Sequence, residues 1–325
     1  MEKDNSEYIY IFKFLCILSV ISAHSQISLG YNDTLFALFE KVLSSFGCLG
    51  VAGFFILSGY FFSHNKRKFK EFWKRKVKQL LVPWIVWGGI NNILSVIVSN
   101  KNISPYNILF GWVGAYYIVN LLIFYLIFWK LKNKKILKIC FILSILSQIL
   151  YAVFKSKMNL NAYFVFPIWA NWFILGLLLK DKINYIIYFT KKYKNILLFV
   201  LIITIIIGTL INIDYWCIYF ILVALSGLLG LCGLAHYLQK TNLLKKQIID
   251  IGKNTMLIMF NNFYITVLIS KILMLTKITI LILLAPILTI SVEYIAIQCL
   301  KLLPIKKYIK DKLYIILGVK NLNYL

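Results

Sequence analysis

Apolar runs close to 20 residues recur from one end of the chain to the other, divided by short lysine-rich links. About 20 apolar helical residues cross the roughly 30 Å hydrocarbon core of a bilayer. The pattern therefore predicts an all-α, polytopic membrane protein of about ten transmembrane helices. The expected spans are 9–28, 45–63, 79–98, 113–131, 136–154, 163–180, 195–211, 216–238, 254–274 and 278–300. The ten-residue alternating segments of a membrane barrel are absent. The links are at most about 15 residues long, so the expectation is one transmembrane domain over 1–325, ending in a short basic tail at 301–325. The first span carries a lysine and a histidine and no small-residue cleavage site follows it, so it reads as a retained helix rather than a signal peptide.

Composition agrees with the pattern. Hydrophobic residues make up 61% of the 325, and mean hydropathy is +0.81. The formal net charge of +25 does not indicate nucleic acid, because the lysines lie in links between apolar spans. Counting Lys and Arg over alternate links gives 29 on one side and 6 on the other, with Lys13 inside a span. By the positive-inside rule this predicts N-in and C-in with an even number of spans. The expected partners of these charges are anionic lipid headgroups. Six scattered cysteines and three histidines show no metal-ligand spacing, so no metal is expected.

The most informative residues lie in the first span. Lys13 and His24 are eleven residues apart, about three helical turns, so they share one helix face roughly 16 Å apart. An ionisable side chain at membrane depth is costly and usually faces a cavity or a partner. The alternative for Lys13 is snorkelling to the interface. In the alternating topology Lys13 lies near the inner face and His24 close to the outer one. Span 2 carries Gly47, Gly50, Gly53 and Gly59 at spacings that let helices approach closely. They would serve tight packing or a groove for a narrow ligand. Ser58 is a candidate nucleophile or a packing residue. Glu293 falls within the last span, where it would pair with a lysine or protonate. Asp214 lies in a short outer link. His64 and His236, at inner helix ends, are expected to be interfacial.

Four stretches together resemble the integral-membrane acyltransferase-3 family. Lys13 to His24 is similar to the family's basic-residue-to-histidine motif in helix 1. Phe54-Phe55-Ile56-Leu57-Ser58-Gly59-Tyr60 is similar to its phenylalanine-rich segment. Phe72-Trp73-Lys74-Arg75-Lys76, leading to Pro83-Trp84, resembles its basic loop and the proline that enters helix 3. Gly252-Lys253-Asn254-Thr255 resembles the motif opening a late helix. The match is good over the first 130 residues and rests mainly on topology beyond them. Departures are plain. Lys13 stands where arginine is usual, so the planar fork that grips a phosphate bidentately is missing. Ala52 and Gln79 replace common acidic and basic residues. Asn261 and Asn262 lie where many members have a second histidine.

The resemblance implies transfer of an acyl group, often acetyl, from cytoplasmic acyl-CoA as co-substrate, with no bound cofactor, to a hydroxyl of a cell-surface or lipid-linked saccharide. His24 would act as general base or carry the acyl group. Lys13, Lys74, Arg75, Lys76 and Lys78 would bind the acyl-CoA phosphates. Tyr116 and Tyr117, similar to the aromatic pair that starts helix 4, would bind the acceptor together with Asn261 and Asn262. The implied setting is the bacterial plasma membrane, and a homo-oligomer is compatible with it. The alternative is an exporter or flippase for the saccharide, since a central polar stripe suits a conduit as well.

Overall fold

The structure is a computed structural model. It describes residues 3–25, 34–99, 105–110, 115–131, 133–154, 165–213, 215, 217–242, 244–276 and 278–319. Asp214 lies outside them. In chain order the α-helices are α1 Lys3–His24, α2 Thr34–Gly47, α3 Leu49–Ser63, α4 Phe69–Lys76, α5 Val82–Ser99, α6 Pro105–Phe110, α7 Ala115–Phe128 and α8 Lys134–Phe154. They continue as α9 Phe166–Leu178, α10 Ile183–Lys192, α11 Lys194–Leu210, α12 Phe220–Lys240, α13 Lys245–Lys253, α14 Thr255–Leu275, α15 Ala285–Leu302 and α16 Lys307–Leu317. No strand occurs among the described residues.

Six of these segments are long and apolar enough to cross a membrane, or seven if the bent pair α10–α11 counts as one. The sequence pattern predicts ten. Two of the other predicted spans fall on α7 and α9, which are 14 and 13 residues long. At 1.5 Å per residue these rise only about 20 Å, short of a bilayer core. The predicted span at 195–211 begins at a sharp corner, because the amphipathic α10 meets α11 at 87°. The expected tail at 301–325 contains α16, which docks on α5. The Trp87 indole donates to the Leu317 carbonyl there at 3.2 Å.

Helix α1 is the centre of the bundle. Its apolar side chains are spread round all sides, and it packs against α2, α3, α12, α13, α14 and α15. By contrast α8 and α11 each present a broad apolar face outward, with Ile139, Ile142, Leu150, Ile196, Phe199 and Ile206 exposed. In a bilayer this is the expected surface, since lipid is as apolar as the side chains.

Helices α2 and α3 form one 29-residue span, Leu35–Ser63, with a break near Cys48. Ser19 of α1 bridges that break. Its hydroxyl donates to the Phe46 carbonyl at 2.6 Å and accepts the Gly50 amide at 2.8 Å. This satisfies groups that a helix end leaves unpaired. A second irregularity is the π turn Val77–Leu81, where the Val82 amide reaches back to the Val77 carbonyl. Pro83 follows and has no amide to give the Gln79 carbonyl. The ladder therefore slips by one residue just before it.

The glycines of span 2 serve close packing. A Cβ at Gly59 would run into the Phe173 carbonyl of α9, and one at Gly176 into the Ile56 carbonyl of α3. The two backbones therefore cross in direct contact, as small residues permit. Gly47 and Gly50 meet α1 in the same way, and Gly53 meets Cys16. Gly59→Leu should lower the melting temperature of the detergent-solubilised protein, since overpacking costs about 1–3 kcal/mol or more. An unchanged melt would refute the α3–α9 crossing.

Candidate functional site

Lys13 lies at the middle of the enclosed helix α1 and His24 at its end. The Lys13 ammonium lies 5.0 Å from the Phe61 ring centroid and 5.9 Å from that of Tyr10. His24 is the last residue of α1. The edge of its ring meets Phe263 of α14, with centroids 5.5 Å apart and planes at 82°.

His24 is not at the rim of the bundle. Gly47, where α2 ends, lies against Ala23, and α2 continues a further 13 residues past that contact to Thr34. That extension packs on the 3₁₀ turn Thr279–Leu284, with Phe36, Leu43, Ile282 and Ala285 buried together beside Ile269 and Leu273 of α14. From Gly47 to Lys41 the helix rises about 9 Å, and from Tyr10 to His24 about 21 Å. Those lengths together match the hydrocarbon thickness of a bilayer. His24 therefore lies short of the far end of α2, beside the helix's extension.

The basic link between the second and third predicted spans is mostly helical. Phe72 anchors α4 among Phe62, Tyr125 and Trp129. Lys74, Arg75 and Lys78 are exposed. Lys76 turns inward instead, donating to the Tyr125 hydroxyl at 3.2 Å with its ammonium 4.6 Å from that ring centroid. The structure thus separates Lys76 from the cations with which the sequence groups it.

Tyr117 is 4% exposed and packs against Phe55, ring centroids 4.6 Å apart. It offers no open ring face for a sugar. Its hydroxyl pairs with that of Ser58 at 3.1 Å, which makes Ser58 a hydrogen-bonded residue of the α3–α7 contact. Tyr116 lies against Trp169, centroids 5.6 Å apart.

Asn261 and Glu293 are brought together, with the Asn261 amide donating to a Glu293 carboxylate oxygen at 3.0 Å. Glu293 is fully buried at the α14–α15 contact. The lysine partner that its position suggests is replaced by an amide. Asn262 donates to the Ile258 carbonyl of its own helix at 2.8 Å. Among the described residues Glu293 Oε1, Asn261 Oδ1, Asn262 Oδ1 and Thr289 Oγ1 find no hydrogen-bond partner. Buried acceptors usually have partners, so this region of α14 and α15 can receive hydrogen-bond donors.

His236, near the end of α12, is 3% exposed, stacks on Tyr8 at 4.4 Å and hydrogen-bonds Thr190 at 3.0 Å, tying α1, α10 and α12 together. His64 is exposed and binds the Tyr60 carbonyl. The sequence reading also missed Tyr10 and Thr289. Their one signal was spacing, since Tyr10 lies three residues before Lys13 and Thr289 four before Glu293.

Burial, with the Arg75 and Arg67 guanidiniums nearby, pushes the Lys76 ammonium down to about 8. An unfolded lysine titrates near 10.4. Between those values the unfolded chain binds more protons, so stability rises with pH across that window. Below about pH 8 the penalty of a buried charge is fully present, on the order of 3 kcal/mol by this shift. Lys76→Met should flatten the rise in melting temperature between pH 8 and 10. Equal slopes in the two proteins would show that Lys76 is solvated.

Comparison with known proteins follows the same lines. The model of the acyltransferase-3 family, described as an acyltransferase domain, matches residues 6–297. No curated protein and no solved structure matches the chain. The matched region contains Lys13 and His24 of α1, the basic segment and the Asn261–Glu293 pair, and its length leaves one assignment: the chain belongs to the acyltransferase-3 family of membrane acyltransferases.

Proposed function

We propose that the protein is a membrane O-acyltransferase. It moves an acyl group, acetyl in the first instance, from cytoplasmic acyl-CoA to a hydroxyl of a cell-surface or lipid-linked saccharide. In this reading the chain crosses a bacterial plasma membrane about ten times, with both termini inside. The observation that carries the reading is the placement of His24 at the enclosed end of the central helix, about 16 Å along the axis from Lys13.

The chemistry follows from that placement. The nucleotide of acyl-CoA stays on the inner side near Lys13, with the exposed Lys74, Arg75 and Lys78 available to its phosphates. The pantetheine arm extends along α1, and the thioester carbonyl arrives beside His24. A saccharide hydroxyl is a poor nucleophile at neutral pH. A neutral imidazole takes its proton as the oxygen attacks the carbonyl carbon, the C–S bond breaks, and the thiolate of CoA leaves and gains the proton. In the covalent variant the imidazole attacks the thioester carbon, the C–S bond breaks and the CoA thiolate leaves; the saccharide hydroxyl then attacks the acyl-imidazole, the C–N bond breaks, and the freed imidazole takes up the hydroxyl proton. The orphaned acceptors on Asn261, Asn262 and Glu293 suit a polyhydroxyl acceptor, whose O–H groups are donors.

The test is mass spectrometry of surface glycans from cells carrying the wild-type chain, a deletion or His24→Ala. Loss of a general base costs about 10²–10⁴-fold in rate. The expected outcome is loss of the acyl mass increment in both mutants with polymer amount unchanged. Unmodified mass with polymer absent from the surface would instead establish export and overturn the transferase reading.

A further inference from the structure

We propose that α10 lies in the plane of the bilayer surface and that its corner with α11 seats the headgroup of an anionic phospholipid. Helix α11 runs antiparallel along α12, which is long enough to cross the membrane. Gly233 meets Lys194, Gly230 meets Leu201, and the Thr204 hydroxyl donates to Ser226 at 3.1 Å, so the two helices stay side by side. The 87° turn between α10 and α11 therefore sets α10 close to the membrane plane. At 10 residues it is about 15 Å long, too short to span.

Charge fixes its level. Lys180 and Lys182 precede α10, and Lys191 and Lys192 close it, so both ends belong at the headgroups. A re-entrant helix would carry one end into hydrocarbon, where a lysine is costly. The link is one of the lysine-rich set, which the positive-inside rule assigns to the cytoplasmic leaflet. That leaflet carries the anionic lipids.

The faces of α10 divide accordingly. Ile183, Ile187 and Thr190 turn toward the bundle, where the Thr190 hydroxyl meets His236 of α12. On one flank Asn184 and Lys191, seven residues apart, are exposed, and the Asn184 side chain accepts from the Asn5 side-chain amide of α1 at 3.2 Å. On the other flank Tyr185, Phe189 and Tyr193 form a ladder, with successive ring centroids 6.4 and 4.9 Å apart. Tyr185 is 68% exposed. At helical spacing the ladder leads on to Ile196 and Phe199, exposed on the apolar outer face of α11. Aromatic rings that continue an apolar wall up to a row of lysines have the composition of a membrane interface. At the corner the Lys192 ammonium rests 5.3 Å from the Tyr193 ring centroid. Among the described residues Lys191 and Lys192 take part in no ion pair. A phospholipid fits this corner with its phosphate toward the two lysines and its acyl chains along Ile196 and Phe199.

The test is photo-crosslinking of the full-length protein in nanodiscs of mixed phosphatidylcholine and phosphatidylglycerol. The photoreactive residue p-benzoylphenylalanine replaces Tyr185, Asn184 or Leu150 in turn. Leu150, exposed on the apolar face of α8, reports that the protein is inserted. Position 185 should form lipid adducts enriched in phosphatidylglycerol over its share of the bilayer. Position 150 should give adducts in proportion to composition, and position 184 none. Lys191→Gln combined with Lys192→Gln should remove the enrichment at position 185, since a lysine near an anionic surface contributes about fivefold. Arginine at both positions should keep it. Adducts at position 150 without any at 185 would place α10 clear of the membrane and overturn the inference. Equal labelling at 184 and 185 would overturn the in-plane placement. Adducts at 185 in proportion to composition, or an enrichment that survives the glutamine pair, would overturn the headgroup site.

Discussion

Polar and charged groups placed within an apolar medium must be enclosed by protein, and the whole architecture follows from that constraint acting on α1. This helix carries Lys13, Ser19, Ser22 and His24 along one continuous segment. Facing lipid, the two ionisable groups would each cost several kcal/mol. Six other helices surround α1 instead. Its serines are also used structurally, and Ser19 repairs the break between α2 and α3.

Enclosure at this density needs close backbone approach. Glycines supply it at three contacts: α1 with α3, α3 with α9, and α13 with α1. In each a side chain would collide with a carbonyl of the facing helix. Without a hydrophobic force between helices in lipid, such contacts supply dispersion energy that bulkier residues would forfeit. Aromatic packing does similar work around the basic segment, where Phe72 holds α4 against Phe62, Tyr125 and Trp129.

The same helix that organises the packing also carries Lys13 and His24. Its amino-terminal half meets α13 and the cations around Tyr10, and its last residue meets Phe263 of α14 beside the α2 extension. The Asn261–Glu293 pair extends the polar interior into the α14–α15 contact, where several acceptors find no hydrogen-bond partner among the described residues.

Much of this was legible in the residues. The 20-residue apolar rhythm established a helical membrane protein, because backbone groups in lipid must be paired within the segment. The eleven-residue spacing placed Lys13 and His24 on one face, because helical periodicity is local. The four motifs pointed to the family that the match over 6–297 shows. Other features depended on partners distant in sequence. No pattern in α1 announces that it ends beside an extension of α2, since that placement is set by where Gly47 meets Ala23. Nothing local turns Lys76 inward while Lys74 and Arg75 stay exposed, since Tyr125 comes from another helix. Nor does the segment around Gly252 reveal that it brings Lys253 to the ring of Tyr10. Periodicity and composition act over a few turns and are written in the chain. Depth, enclosure and the meeting of charges depend on which helices pack together, and only the tertiary structure decided them.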